Sequence, residues 1–257
     1  MGQAVSATVA WEHSGGLATV TLSNASRMNA MTRAMWRQLR VVFSEIASLS
    51  DVRCVLLQGA GAHFCAGGDI SEYPAFRFDP QSLQHFHEVE VWGGLQAVLD
   101  CPVPTLALVR GNCMGAGLEI ASCCDLRLGA HSSMYGAPIA RLGFPMAPRE
   151  AALVQQAVGA GTAAAILLAA ESVDATWLHH RGFLTWCEPD DALQARAEAL
   201  VARMLALSPQ AARLNKQVLR PSSPTQQATP ASAYAYADSA EHREGILAFL
   251  DKRPPAF

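Results

Sequence analysis

Two glycine-rich turns, each lying between an apolar strand and a helix, constrain this chain more than any other feature of its sequence. The first turn contains the pair Gly67 and Gly68, and paired glycines permit a positive φ and a close approach of the backbone to a ligand. The second contains Gly115 and leads into an apolar helix, whose first N–H groups, such as that of Ala116, attract negative charge. The two turns predict a site where backbone N–H groups face an oxygen that develops negative charge.

Apolar periodicity predicts that strands and helices alternate along most of the chain. Two short β-type runs, residues 5–11 and 17–22, flank a glycine turn and predict a hairpin. Helical spacing of apolar residues predicts a helix over 31–48, and apolar runs predict buried strands at 52–58 and 105–109. The other elements predicted in this part are helices at 79–99, 116–124 and 149–158 and a strand at 125–128. This order favours an α/β fold.

The pattern becomes helical from residue 192 onward. A connection rich in Ser, Thr, Pro and Gln is predicted at 221–230. The helices predicted around it are 192–206, 210–219 and 238–251. We therefore predict a core domain over 1–190 that carries the site, and a helical C-terminal domain over 191–257.

Charge, hydropathy and cysteine content exclude several classes of protein. A net charge of −3 predicts no binding to nucleic acid or to anionic membranes. The chain has no apolar run of about 18 residues, so no membrane span is expected, and residues 1–13 do not resemble a secretion signal. The seven cysteines are scattered without a Cys-x-x-Cys pair, which predicts reduced thiols in the cytoplasm and no metal site.

Four sequence blocks together resemble the crotonase family, the enoyl-CoA hydratase/isomerase superfamily, over nearly the whole chain. The blocks are residues 27–31, 64–70, 111–125 and 241–253. The resemblance implies a crotonase-like spiral of β-β-α units, and a C-terminal helical domain through which subunits assemble as trimers or dimers of trimers. It also implies an enzyme that acts on an acyl-CoA thioester through an enolate, with coenzyme A as part of the substrate and no separate cofactor.

The resemblance also assigns roles to individual residues. The N–H groups of Gly68 and Ala116 would bind the enolate oxygen, and Glu119 would be the acid/base. In some family members, tail residues at the positions of Phe249 and Lys252 approach coenzyme A from a neighbouring subunit. The residues expected to bind the acyl-CoA are Arg27, Met28, Ala66, Asp69, Ile70, Gly115, Phe249 and Lys252.

One position departs from the family's hydratases, because their second glutamate falls on Ile139, which has no proton to give. General acid–base assistance is worth about 10²–10⁴-fold in rate, so the sequence predicts slow hydration unless another group substitutes. The candidates are Glu150, His85 and His87. The two histidines lie two residues apart on a helix and cannot share a face. A surface or packing role is the favoured interpretation of each histidine, and a first-turn helix acid that of Glu150.

Three mechanisms are compatible with this sequence. Glu119 alone hydrates an enoyl-CoA with water relaying protons, or Glu119 shuttles one proton in an isomerisation, or the enolate forms by decarboxylation or retro-aldol cleavage. The family's isomerases usually place their carboxylate where Ile139 stands, which weakens the second mechanism. A catalytically impaired acyl-CoA-binding homologue is the alternative from another class. The aromatic side chains of Tyr73, Phe76 and Phe78 are candidates to line the acyl pocket or to belong to a lid.

Overall fold

The computed structural model describes residues 7–220 and 234–257. The predicted connection at 221–230 and the first two residues of the predicted strand at 5–11 lie outside the described residues. The strands are β1 (Thr8–Ser14), β2 (Leu17–Ser23), β3 (Cys54–Gly59), β4 (Thr105–Val109), β5 (Asn112–Met114), β6 (Leu126–Ala130), β7 (Met134–Gly136), β8 (Ser172–Asp174) and β9 (Trp186–Glu188).

The predicted helices are present with ends that differ by a few residues, except that the one at 79–99 is interrupted, and two helices, at 160–168 and 175–180, were not predicted. The helices are α1 (Arg33–Ser48), α2 (Pro80–His85), α3 (Trp92–Leu99), α4 (Ala116–Cys123), α5 (Pro148–Val158), α6 (Ala160–Leu168), α7 (Ala175–His180), α8 (Leu193–Leu205), α9 (Pro209–Leu219) and α10 (Ala240–Leu250). Short 3-10 turns are formed by Ala25–Arg27, Ile70–Ala75, Pro138–Leu142 and Ala235–Asp238. No helix among the described residues is long and apolar enough to span a bilayer.

The strands form two sheets between which the chain passes repeatedly. The larger sheet has the order β1-β2-β3-β4-β6-β9, in which β1 and β2 pair antiparallel and the other neighbours pair parallel. The smaller sheet has the order β5-β7-β8, in which β7 pairs parallel with β5 and antiparallel with β8. Successive strands β4 and β5 therefore belong to different sheets, and α4 returns the chain to β6 in the larger one. The mixed α/β fold built from such units was predicted from the sequence.

Strand β3 shows why the larger sheet is buried on both faces. Alternate side chains of a strand point to opposite faces. Val55 and Leu57 join the main core together with α1, whereas Cys54 and Leu56 pack with the side chains of α8. An apolar run without polar alternation is typical of a strand that is covered on both sides. The division of the chain at residues 190/191 stays a prediction.

Helix α1 forms because its apolar residues recur at helical spacing and its first turn is capped. The Thr32 side chain accepts a hydrogen bond from the N–H of Met35, which satisfies one of the free donors of the first turn. The buried face consists of Met35, Trp36, Leu39, Val42, Phe43 and Ile46. This stripe packs against the main core, and its Trp36 reaches the wall of the cavity described below.

A π-helical turn, Phe86–Val91, joins α2 to α3 where the sequence predicts one regular helix over 79–99. The turn sends its side chains in different directions. Phe86 is buried in the core and His87 is half-buried, whereas His85 just before the turn is exposed, with its Nε2 3.9 Å from Glu90 Oε1. His85 therefore has a surface role, as the sequence interpretation favoured, and His87 lies on another side of the helix.

A buried ionic cluster ties α9 to the larger sheet. Lys216 Nζ lies 2.7 Å from Asp125 Oδ2 and donates to the carbonyl oxygen of Val103. Arg220 Nη2 lies 2.8 Å from Asp125 Oδ1, and Thr105 donates its N–H and its hydroxyl to the same carboxylate. Burial alone would raise the pKa of Asp125, but the charges of Lys216 and Arg220 outweigh it and hold that pKa below its usual value.

Candidate active site

The two glycine-rich turns lie side by side because backbone hydrogen bonds join them. The N–H of Cys65 donates to the carbonyl oxygen of Asn112, and the N–H of Met114 donates to that of Cys65, each at 2.9 Å. A Cβ added to Gly117 would lie 2.7 Å from the Cys65 carbonyl oxygen, so only glycine permits this approach. Two segments some fifty residues apart in sequence thus form one structural unit, as the prediction of a shared site requires.

The first turn is held by the segment that follows the 3-10 turn at Ala25–Arg27. The N–H of Met31 donates to the carbonyl oxygen of Gly67, and the N–H of Asp69 donates to that of Met31, each at 2.8 Å. The intervening N–H of Gly68 donates to no acceptor within residues 7–220 and 234–257. The backbone of the turn is therefore fixed around one free donor.

The second turn leaves a matching donor. Gly115 has a φ of +46°, which side chains rarely tolerate, and its own N–H donates to the carbonyl oxygen of Gly136. Ala116 is the first residue of α4, and its N–H has no acceptor in the part of the chain that the structure describes. An anionic oxygen between the N–H groups of Gly68 and Ala116 would satisfy both donors and would meet the positive end of the α4 dipole.

A cavity of about 350 Å³ opens beside these two donors. Six of the residues predicted to bind or transform the ligand line it, namely Ala66, Gly68, Ile70, Gly115, Ala116 and Glu119. Ile139 also lines it, and its correspondence to the second glutamate of the family's hydratases stays a prediction. Among the described residues no group of three or more His, Cys, Asp or Glu side chains is placed to hold a metal ion.

The other residues predicted to contact coenzyme A lie outside the lining of this cavity. Asp69 is buried and caps the 3-10 turn that follows it, since its Oδ1 accepts from the N–H and the hydroxyl of Ser71. Arg27 and Met28 are exposed, and the carbonyl of Met28 accepts from the N–H of Ala66. Phe249 and Lys252 are exposed at the end of α10. Their contact with coenzyme A stays a prediction.

Glu119 lies one turn into α4 with its side chain buried at the cavity wall. Burial raises the pKa of its carboxyl well above the usual value, and the nearby Glu150 raises that pKa further. The carboxyl group of Glu119 therefore keeps its proton to a higher pH than an exposed glutamate does. A proton held beside an anion-binding pair of N–H groups can be delivered to a carbon atom of a bound thioester.

Glu150 and His87 form a second titratable group in the same cavity. Glu150 is 3% exposed, and its Oε1 lies 2.8 Å from Nδ1 of His87. Nε2 of His87 lies 3.5 Å from Nη1 of Arg77. Because an arginine only donates, Nε2 presents its lone pair and Nδ1 carries the proton that His87 donates to Glu150.

The favoured sequence interpretations of these two residues were therefore incomplete. Glu150 does lie in the first turn of α5, but its side chain points into the cavity rather than only compensating the helix dipole. His87 is a cavity residue rather than a surface or packing histidine. Their contact joins residues that are 63 positions apart, so local spacing gave no signal for it. The sequence offered one signal, since an uncharged residue at position 139, where the resemblance expects a glutamate, indicates that another carboxylate would be needed.

Tyr73 packs directly against the first glycine turn. Its ring makes edge contacts with Phe86 and Phe144, and burial raises the pKa of its hydroxyl to about 12, so it stays neutral. A Cβ added to Gly68 would collide with the Tyr73 hydroxyl. Of the three aromatic residues predicted near the pocket, Tyr73 lines it, Phe76 is buried in the core and Phe78 is 84% exposed.

We expect Gly68→Ala to lower the free energy of unfolding by about 1–3 kcal/mol, because the added methyl group overpacks the site. Tyr73→Phe removes the atom that collides and leaves the ring carbon Cζ 3.2 Å from the added Cβ. Gly68→Ala should therefore cost less in a Tyr73→Phe background, as measured by urea denaturation of all four proteins. Gly161→Ala is the control, because its added Cβ meets no atom within 4 Å. Equal costs in both backgrounds would show that the hydroxyl does not limit the space.

Comparison with known proteins shows which family this chain resembles. The family model described as Enoyl-CoA hydratase/isomerase matches residues 12–257. A Rhodobacter capsulatus protein named "Probable enoyl-CoA hydratase" is 31% identical over 256 residues, covering 97% of each chain. The crystal structure of an enoyl-CoA hydratase/carnithine racemase from Magnetospirillum magneticum has a TM-score of 0.92 at 33% identity, covering 97% of this chain and 94% of that one.

A second crystal structure supports the same relationship at greater distance. The enoyl-CoA hydratase of Mycobacterium smegmatis has a TM-score of 0.82 at 25% identity, covering 96% of this chain and 98% of that one. The match of the family model runs through both glycine turns, Glu119 and the C-terminal helices. The chain therefore belongs to the enoyl-CoA hydratase/isomerase family and has the crotonase fold.

Proposed function

We propose that this protein adds water to the double bond of an enoyl-CoA thioester, with Glu119 and Glu150 as its two acid/base groups. The observation that supports this most is that two buried carboxyl groups line one cavity beside the free N–H groups of Gly68 and Ala116. Relatives named enoyl-CoA hydratase are in keeping with this chemistry. The family's usual second glutamate is replaced in function, because Glu150 enters the cavity from α5 while Ile139 lines it without a titratable group.

The reaction requires a base and an acid at the same time. As the oxygen of water bonds to the β-carbon, the π electrons move towards the thioester oxygen, and the N–H groups of Gly68 and Ala116 stabilise the resulting enolate. One carboxyl group takes a proton from the water, and the other gives a proton to the α-carbon. Burial raises the pKa of Glu119, which favours Glu119 as the group that gives its proton. The pair ends with as many protons as it had, so no external acid or base is consumed.

His87 positions Glu150 in this mechanism. Its Nδ1–H donates to Oε1 of Glu150, which fixes one carboxylate oxygen and leaves the other free for water. Nη1 of Arg77 lies 3.5 Å from Nε2 of His87, the ring nitrogen that does not contact Glu150. The second carboxyl group is thereby oriented by a side chain of the π-helical turn.

The test of this proposal is Glu150→Gln, which keeps the shape of the side chain and removes its ability to exchange a proton. We expect the hydration rate of an enoyl-CoA to fall by about 10²–10⁴-fold, as read from the loss of enoyl-thioester absorbance. Glu88→Gln is the matched control, because Glu88 lies next to His87 in sequence, is exposed and pairs with Arg149. Hydration that survives Glu150→Gln but not Glu119→Gln would contradict the role of Glu150.

Isomerisation of the double bond is the second candidate, because it needs only one carboxylate, which takes a proton from one carbon atom and returns it to another. Glu119 lies at the cavity wall that the free N–H groups of Gly68 and Ala116 also line. The products of a panel of acyl-CoA thioesters separate the possibilities by mass. A gain of one water supports hydration, an unchanged mass with a moved double bond supports isomerisation, and loss of carbon dioxide supports decarboxylation. Binding without any change would identify an acyl-CoA-binding protein.

A further inference from the structure

Arg77 lies in the wall of the candidate active-site cavity between two aromatic rings. Its guanidinium carbon is 3.6 Å from the ring centroid of Phe144 and 4.7 Å from that of Tyr73. Aromatic stacking engages the flat face of a guanidinium, whereas its N–H groups project from the edge in the plane of the group. The rings therefore hold Arg77 in place without satisfying its hydrogen-bond donors.

Arg77 has no acidic partner in the part of the chain that the structure describes. Its Nη1 faces His87 Nε2 at 3.5 Å, and no carboxylate oxygen of residues 7–220 and 234–257 lies within 4.0 Å of its nitrogens. Other arginines on neighbouring elements differ, since Arg33 and Arg37 share Glu90 at 2.7 and 3.0 Å. Because Arg77 lines the cavity and lies against the two rings, its open donors are available to a ligand bound there.

The balance of charge in the cavity indicates the sign of the charge on such a ligand. Arg77 and Arg141 both line the cavity. Arg141 donates one hydrogen bond, to the carbonyl oxygen of Ala170. Arg141 is exposed, whereas Arg77 is half-buried in the cavity wall and has no carboxylate oxygen within 4.0 Å in the part of the chain that the structure describes. The wall next to Arg77 therefore carries a local positive charge, which an anionic group on the ligand would balance.

We infer that the acyl group of the substrate carries a carboxylate at the end remote from the thioester, and that Arg77 binds this carboxylate. The planar edge of a guanidinium matches the two oxygens of a carboxylate, which makes arginine suited to this role. The Tyr73 ring lies against both the guanidinium and Gly68, so a short acyl chain would span the distance between them. The inference rests on the proposed function, because it requires the acyl chain to enter this cavity.

The first experiment measures binding and does not depend on turnover. Glutaryl-CoA is compared by calorimetry with its neutral isostere, in which an isopropyl group replaces the carboxylate. We expect the wild-type protein to bind glutaryl-CoA about 10- to 100-fold more tightly, the range for hydrogen bonds to charged groups. Arg77→Met, which keeps much of the stem and removes the charge, should abolish this preference.

The second experiment uses the corresponding unsaturated pair, glutaconyl-CoA and its isopropyl isostere. We expect the ratio of their kcat/KM values for hydration to favour glutaconyl-CoA in the wild type and to fall by about 10- to 100-fold in Arg77→Met. Both ratios are taken within one protein sample, so a partly unfolded variant does not alter them. Arg181→Met is the control, because Arg181 also stacks on a ring, that of Trp177, but lies outside the cavity.

The outcomes separate the inference from the proposed function. Hydration of both enoyl-CoA thioesters without a preference for the carboxylate would overturn the inference and leave the proposed function standing. A preference for glutaryl-CoA that depends on Arg77, without hydration of any enoyl-CoA, would support the carboxylate site and overturn the proposed hydration. If Arg77→Met weakens the binding of all thioesters equally, Arg77 contacts the coenzyme A portion instead, and the inference is wrong.

Discussion

Replacement of Glu119 by glutamine is expected to lower the turnover number for hydration by about 10²–10⁴-fold. The amide fills the same buried space at the cavity wall, but it neither gives nor takes a proton. The affinity for a saturated acyl-CoA should change little, because the free N–H groups of Gly68 and Ala116 are untouched. Steady-state kinetics and calorimetry with the saturated thioester measure the two effects separately. A loss of affinity as large as the loss of turnover would show that Glu119 mainly binds the ligand.

The same variant should be more stable than the wild type above the ordinary pKa of glutamate. Burial raises the pKa of Glu119, so the folded protein retains a proton that the unfolded chain releases. The stability of the wild type therefore falls as the pH rises from about 4.3, the usual value, towards the raised pKa. Glutamine has no such dependence, so the difference in unfolding free energy between variant and wild type grows with pH in that window. This result would also exclude unfolding as the reason for lost turnover.

Asp125→Ala is expected to lower the free energy of unfolding by about 3–5 kcal/mol, the cost of leaving a buried charge without its partner. Lys216 is only 7% exposed, and its ammonium group would keep one acceptor, the carbonyl oxygen of Val103. The hydrogen bonds that Thr105 donates to the carboxylate would also be lost. Urea denaturation measures the change. We expect α9 to detach from the sheet first, because the cluster joins these two elements.

Lys216→Met provides the comparison for this variant. It removes the buried cation, while Asp125 keeps its contacts with Arg220 and Thr105, so the loss of stability should be smaller than in Asp125→Ala. The pKa of Asp125 lies below its usual value, so its contribution is complete above that usual value and disappears as the pH falls through the lowered pKa. Equal losses in the two variants would mean that only the ion pair itself matters.

The sequence predicted those features that depend on neighbouring residues. The buried strand β4 has the bounds expected from its apolar run, and the glycine turns follow strands as expected. The family resemblance placed Gly68, Ala116 and Glu119 in one site, and the structure brings them to one cavity. The strand and the turns were predictable because periodicity and glycine content act within a few residues of the chain, whereas the shared site came from the resemblance and its roles stay predictions.

The remaining part of the site depends on distant contacts. Glu150 contacts His87, which is 63 residues away in sequence. Tyr73 lies close to Gly68 because the 3-10 turn Ile70–Ala75 reverses the chain between them. The open donors of Arg77 became visible only when its surroundings were known. The prediction of one regular helix over residues 79–99 was wrong. The pattern of apolar residues does not distinguish an α-helix from one that contains a π-helical turn.

The π-helical turn at Phe86–Val91 has a consequence for how this active site could be altered. Such a turn holds one residue more than an α-helix would, and each residue of an α-helix corresponds to a rotation of about 100°. Deletion of a single codon would let α2 and α3 merge into one regular helix, but it would rotate His87 out of the cavity and away from Glu150. The locally more stable helix would therefore belong to the less active protein. An irregularity of one residue is a place where selection for activity opposes selection for stability.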